Sequence, residues 1–172
     1  MKITKGATMY KAPEPTDDGY GRLCIFLAGS IEMGKAEDWQ TKLFHSIITH
    51  DVTVYNPRRE NWDSSWTQDI SNPFFKEQVV WELDHIDLAD VVVFYFDAHT
   101  MSPITLMELG IVLEMNASND DIKGSRVLVC CPEGYWRRGN VQIVCGRYSV
   151  PLLNTFEELT SELVKVLDEY KV

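Results

Sequence analysis

The chain of 172 residues lacks any basic excess, with 16 lysines and arginines against 26 aspartates and glutamates and a formal charge of −10. Binders of the nucleic-acid backbone carry a basic face, and anionic membranes attract basic segments, so neither partner is expected. Long apolar runs are missing; the longest fall far short of the roughly 18 residues a bilayer span needs. Met1–Lys11 has no apolar stretch of the secretory kind. Cysteines are few, and Cys24, Cys130, Cys131 and Cys145 show no C-x-x-C spacing. Three of them sit in apolar stretches and read as small buried hydrophobes, in a reducing, cytoplasmic setting. No His, Cys and Asp cluster has zinc spacing, and neither metal nor other cofactor is expected. G-x-G-x-x-G, G-K-[ST] and G-x-S-x-G are absent, which removes the dinucleotide fingerprint, the Walker loop and the nucleophile elbow.

What is present is an alternation of strands and helices. Residues 1–21 carry Ala12-Pro13-Glu14-Pro15 and no period, and read as an irregular arm. Leu23–Ala28 is an unbroken apolar run ending at Gly29, the mark of a strand buried on both faces. Ala36, Trp39, Leu43 and Ile47 recur at helical spacing, and Val52–Tyr55 follows as a strand. A polar-aromatic loop from Asn56 to Asn72 leads to a helix over 73–88, with Pro73 at its start and Phe75, Val79, Leu83 and Ile86 on one face. Asp90–Phe96 is the strongest strand signal. A loop from Asp97 to Ser102 precedes a helix from Pro103 to Met115. Arg126–Cys131 is the next strand, Gln142–Cys145 a short candidate strand, and Thr155–Lys171 an amphipathic helix opened by the capping box Thr155-x-x-Glu158. The order predicts a doubly wound, mainly parallel sheet of about five strands with helices on both faces, formed by residues 22–172 as one α/β domain. Ligands of such sheets sit at the carboxyl ends of the strands. That rule gathers Gly29–Gly34, Asn56–Trp66, Asp97–Ser102 and Pro132–Asn140 around one cleft.

Several residues there carry chemistry. Gly29 lets a ligand approach the backbone, and Ser30 offers a hydroxyl and a backbone N–H; the plainer reading is a strand-to-helix turn. Glu108 lies in Ile104-Thr105-Leu106-Met107-Glu108-Leu109-Gly110-Ile111, an apolar helix, where a carboxylate must be paired, hydrogen-bonded or protonated unless it faces solvent. Gly29 and Gly110 remove side chains where elements would crowd. Glu82 and Asp84 close the second helix against its dipole. His85 reads as a surface or packing residue. Arg58, Arg59, Arg137 and Arg138 flank the cleft and suit a phosphate, or else pair with acids such as Glu60 and Asp63. Trp62, Trp66, Tyr135 and Trp136 suit a stacked base, or else pack their loops.

Phe26-Leu27-Ala28-Gly29-Ser30-Ile31, Glu82-Leu83 ahead of Asp90-Val91-Val92-Val93, and Met107-Glu108-Leu109-Gly110 together resemble the nucleoside 2-deoxyribosyltransferase family. They also resemble the related 2-deoxynucleoside 5-monophosphate N-glycosidases. Asn56-Pro57-Arg58-Arg59, Trp62-Asp63-Ser64-Ser65-Trp66 and Gly139-Asn140-Val141 resemble its divergent deoxyribosyltransferase-like branch. The resemblance implies a Rossmann-like fold and cleavage of the N-glycosidic bond of a 2-deoxynucleoside or its monophosphate. Glu108 would be the nucleophile, forming a covalent deoxyribosyl ester that another nucleobase or water then accepts. Such a nucleophile must be ionised, so its site is expected to supply hydrogen bonds. Glu82 would handle the leaving base where the family usually has Asp, with Asp84 as the alternative acid. Gly29 and Ser30 would face the sugar. Asn140 would come from a neighbouring subunit to the 5-hydroxyl end, which implies a homodimer or higher homo-oligomer with shared sites. Arg58 and Trp62 complete the expected substrate contacts. The alternative is a nucleotide-binding sensor that keeps the cleft without turnover.

Overall fold

The computed structural model describes residues 6–16, 21–31, 36–118 and 126–170. Glu32, Met33 and Gly34 of the first loop, and Lys171 at the expected end of the last helix, lie outside them. Among the described residues the chain forms β1 (Thr8–Lys11), β2 (Leu23–Gly29), α1 (Trp39–Ser46), β3 (Val52–Asn56), α2 (Pro73–Leu88), β4 (Val91–Tyr95), α3 (Pro103–Ser118), β5 (Arg126–Cys130), α4 (Arg138–Arg147), β6 (Leu152–Leu153) and α5 (Phe156–Glu169). The strands make one 6-stranded sheet in the order β1-β3-β2-β4-β5-β6, and every pairing in it is parallel. This is the doubly wound α/β sheet expected, with one strand more.

Alternate residues of each strand point to opposite layers, as the pleat requires. Ile25, Leu27, Val54, Val91 and Val93 pack under Trp39 and Leu43 of α1, Ile47 just after it, and Leu159 and Leu163 of α5. Phe26, Ala28, Val92 and Phe94 pack under Trp81 of α2, Leu109, Val112 and Leu113 of α3, and Val141 and Cys145 of α4. Each large side chain buried this way contributes about 1.5–3 kcal/mol of transfer free energy. Helix starts are capped locally. Asp38 accepts from Thr41 N, Asn72 from Phe74 N and Phe75 N, and Thr155 from Glu158 N. No helix among the described residues is long and apolar enough to cross a membrane.

Four local expectations are corrected. The arm contains β1, whose Thr8–Lys11 pairs in register with Thr53–Asn56; an edge strand pairs on one side only, so it needs no continuous apolar run. Gln142–Cys145 is helical, inside α4. Val141 and Cys145 are buried while Ile143 is 75% exposed, a spacing of four that suits a helix, and the last strand is Leu152–Leu153 instead. The buried side of α2 carries Gln78, Trp81, His85 and Ile86, and Leu83 is exposed. Periodicity misplaced this face because polar Gln78 and His85 occupy core positions. Finally, a Cβ on Gly110 would meet nothing within 4 Å, so this glycine relieves no crowding.

The winding explains where the site lies. From β2 the chain passes through α1 to β3 on one side, then through α2 to β4 on the other side of β2. The crevice beyond the carboxyl ends of β2 and β4 is the switch point where such sheets take ligands.

Candidate active site

Ser30 organises the floor of this crevice. Its hydroxyl bonds to Thr100 Oγ1 at 2.7 Å and Ser102 Oγ at 2.6 Å, and accepts from Asp97 N at 2.9 Å. Its backbone N–H donates to Tyr95 O, and its carbonyl accepts from the Trp39 indole. Both groups that Ser30 offered are thus engaged within the protein, and the residue is 1% exposed. They tie the end of β2 to the loop after β4. Tyr135 Oη and Trp136 Nε1 both donate to Met101 O, which joins the loop after β5 to the same knot. Gly29 has a structural reason as well. A Cβ there would stand 2.5 Å from Tyr95 O and 2.6 Å from Trp39 Cζ2. Close approach of the neighbouring strand and the indole demands glycine at this position.

Two carboxyl groups, on α3 and α2, are perturbed by burial. Glu108, in the second turn of α3, is 6% exposed. Burial pushes its carboxyl up to about 8, and the charge of Glu82 adds to the rise. Burial likewise pushes Glu82 of α2 up to about 7, against a hydrogen bond from Gln78 that favours its ionised form. The coupling shows that α2 and α3 bring the two groups into one electrostatic site, where protons leave the pair in steps. Among the described residues nothing hydrogen-bonds the Glu108 carboxyl, contrary to the expectation for an ionised nucleophile. Burial favours the neutral form of Glu108 at pH 7. The sequence could not show this, because the side chains that exclude water come from other elements.

Gln78 is a part of the site that sequence reasoning missed. It is 4% exposed, and its Nε2 donates to Pro57 O at 2.8 Å and to Glu82 Oε1 at 2.8 Å. The available signal was its position one turn before Glu82, the spacing at which helix side chains meet.

Asp84 is exposed, about 200° round α2 from Glu82. Asn140 is exposed in the first turn of α4. Arg58 donates to Gln40 Oε1, Ala36 O and Glu37 O, and stands 3.6 Å from Asp38. Arg59 pairs with Glu77 and lies over Trp66, and Arg138 holds Cys131 O and Asn154 Oδ1. Arg137 stacks on Trp136 at 4.4 Å. Trp62 meets Trp66 edge-on at 5.3 Å, and Trp66 stacks on Phe74. These rings pack the long loop onto the start of α2, though Trp62 Nε1 is buried without a hydrogen-bond partner. His85 stacks on Trp81 with centroids 3.9 Å apart. Its Nδ1–H donates to the carbonyl of Trp81 at 2.6 Å, and its Nε2 meets Thr16 Oγ1 at 3.1 Å. It is a packing residue. Burial raises the thiols of Cys130, to about 12, and Cys131, to about 11, which makes them poor nucleophiles. An open apolar depression of about 270 Å³ along α2, lined by Ile70, Phe75, Lys76, Val79 and Val80, includes neither glutamate.

A family model described as nucleoside 2-deoxyribosyltransferase like matches residues 22–135, most of the chain and all of β2 through β5. No curated protein matches.

Proposed function

The chain belongs to the nucleoside 2-deoxyribosyltransferase-like family, and from that premise we propose that it cleaves the N-glycosidic bond of 2-deoxynucleosides or their monophosphates. The observation that carries the reading is the coupled pair of carboxyls, Glu108 buried and Glu82 half-buried, on the two helices beside the switch point. A glutamate oxygen of Glu108 attacks C1′ as the C1′–N bond breaks, and the bonding pair leaves with the base. Glu82 supplies the proton that the departing nitrogen takes up. In the second step water or another nucleobase attacks C1′, Glu82 recovers a proton, and the ester bond breaks to regenerate Glu108. Loss of the 2-hydroxyl makes the oxocarbenium-like transition state less unfavourable. The reactive form holds one proton, on Glu82, with Glu108 ionised. Burial raises both carboxyls, so the pair exchanges its protons in coupled steps near neutral pH. A pH optimum between about 7 and 8 follows from the two values.

The commitment of Arg58, Arg59 and Arg138 to partners within the chain favours the uncharged nucleoside over its phosphate. Support for a homo-oligomer comes from α3, which exposes Ile104, Met107, Ile111 and Met115 along one side.

Incubation with deoxynucleosides and their monophosphates, with and without an acceptor base, tests the reading. Released or exchanged base, together with an intact-mass increase from trapped deoxyribose that Glu108→Gln abolishes, is the expected result. The depth and neutral form of Glu108 favour a second reading, a sensor that binds without turnover. Tight binding of intact ligand, unchanged by Glu108→Ala and without released base, would select it.

A further inference from the structure

We propose that Gln78 is a positioning residue that decides which oxygen of Glu82 carries the proton to the leaving base. The inference rests on the reading of Glu82 as the acid. Pro57 O is a backbone carbonyl with no proton to give, so the Gln78 amide must turn its Nε2 toward it, at 2.8 Å. That contact removes the amide's freedom to flip. The second N–H of the same nitrogen then points at Glu82 Oε1, also at 2.8 Å. A carbonyl oxygen accepts better than a hydroxyl oxygen, so the bond at Oε1 favours the acid's proton on Oε2. Gln78 and Glu82 are one helical turn apart, and Pro57 directly follows β3. The acid is thereby registered to a strand end through a single side chain.

The amide bears a cost for this arrangement. Gln78 Oε1 is buried with no hydrogen-bond partner. A glutamine serving only to pack would be better replaced by an apolar side chain of the same length.

The test uses Gln78→Met in the full chain, which keeps length and burial and removes both N–H groups. It compares 2-deoxyinosine, whose base needs a proton to leave, with N7-methyl-2-deoxyguanosine, whose cationic base leaves without one. The expected result is a kcat loss of about 100-fold or more on the first substrate and little change on the second, the signature of lost general-acid delivery. Equal loss on both, or loss on neither, overturns the proposal. Glu82→Gln run beside it separates the two levels. If Glu82→Gln discriminates between the substrates and Gln78→Met does not, only the role of Gln78 falls. If Glu82→Gln fails to discriminate, the acid reading itself falls. A readout without turnover is the carbon NMR titration of the Glu82 carboxyl. Its midpoint should rise in Gln78→Met by about one pH unit, since a bond to the ionised form is lost; an unchanged midpoint overturns the proposal. Should Gln78→Met not fold, Gln78→Asn, which cannot reach both partners, carries the same comparisons.

Discussion

Replacing Glu108 with Gln should stabilise the protein, and more so at higher pH. The carboxyl titrates at about 8 in the folded chain against 4.5 unperturbed. Its folded value is raised, so the unfolded chain releases this proton first. Below pH 4.5 both states hold the proton and the group is neutral in its effect. Between 4.5 and about 8 the folded state keeps a proton that the unfolded state has lost, and stability falls by about 1.4 kcal/mol per pH unit. Above about 8 both states are ionised and the loss levels off at about 5 kcal/mol, an upper figure that water penetration would reduce. A glutamine of the same shape has no proton to lose. Urea unfolding followed by tryptophan fluorescence should therefore find the variant within about 1 kcal/mol of wild type at pH 5, about 3 kcal/mol more stable at pH 7 and about 5 at pH 9. The same substitution abolishes cleavage under the proposed mechanism, so stability and activity should move in opposite directions. Parallel stability curves for the two proteins from pH 5 to pH 9 would refute the burial and coupling assigned to Glu108.

Glu82→Gln removes the charge that helps raise Glu108, so the acidic limb of the remaining activity on N7-methyl-2-deoxyguanosine should move to lower pH; an unmoved limb would mean the carboxyls are not coupled. Gly29→Ala should destabilise the fold by about 3 kcal/mol, because the added Cβ meets the Tyr95 carbonyl and the Trp39 ring. Gly110→Ala, in open space on a helix, should be stabilising by up to about 1 kcal/mol; thermal melts read both, and a reversed order would contradict the packing described. Asn140→Ala should lower activity, and mixing it with Glu108→Ala chains should restore part of it through hybrid sites. No recovery after verified subunit exchange would place Asn140 outside any shared site.

Much of the framework was legible from side-chain spacing. The run Leu23–Gly29 and the run Val91–Tyr95 are apolar on both faces, which only a sheet covered on two sides accepts. Pro73 and Thr155-x-x-Glu158 marked helix starts because capping is settled within a few residues of chain. Glu108 stood out by contrast with its apolar neighbours. What spacing could not reach was anything decided by partners distant in the chain. Thr8–Lys11 is a strand because β3 lies beside it, not because of its own pattern. The sequence left Arg58 open between an anion and a partner in the chain, and its bonds to Gln40 and the turn before α1 come from segments distant in sequence. Gln78 carried no signal of its own in the sequence, and its role appears only where Pro57 meets its amide. Local pattern determines which segments become strands and helices, since propensity and periodicity are properties of neighbours in sequence. Protonation, hydrogen-bond assignment and the meeting of Glu82 with Glu108 depend on water excluded by side chains from separate elements, and these were decided only when the sheet and its two helical layers came together.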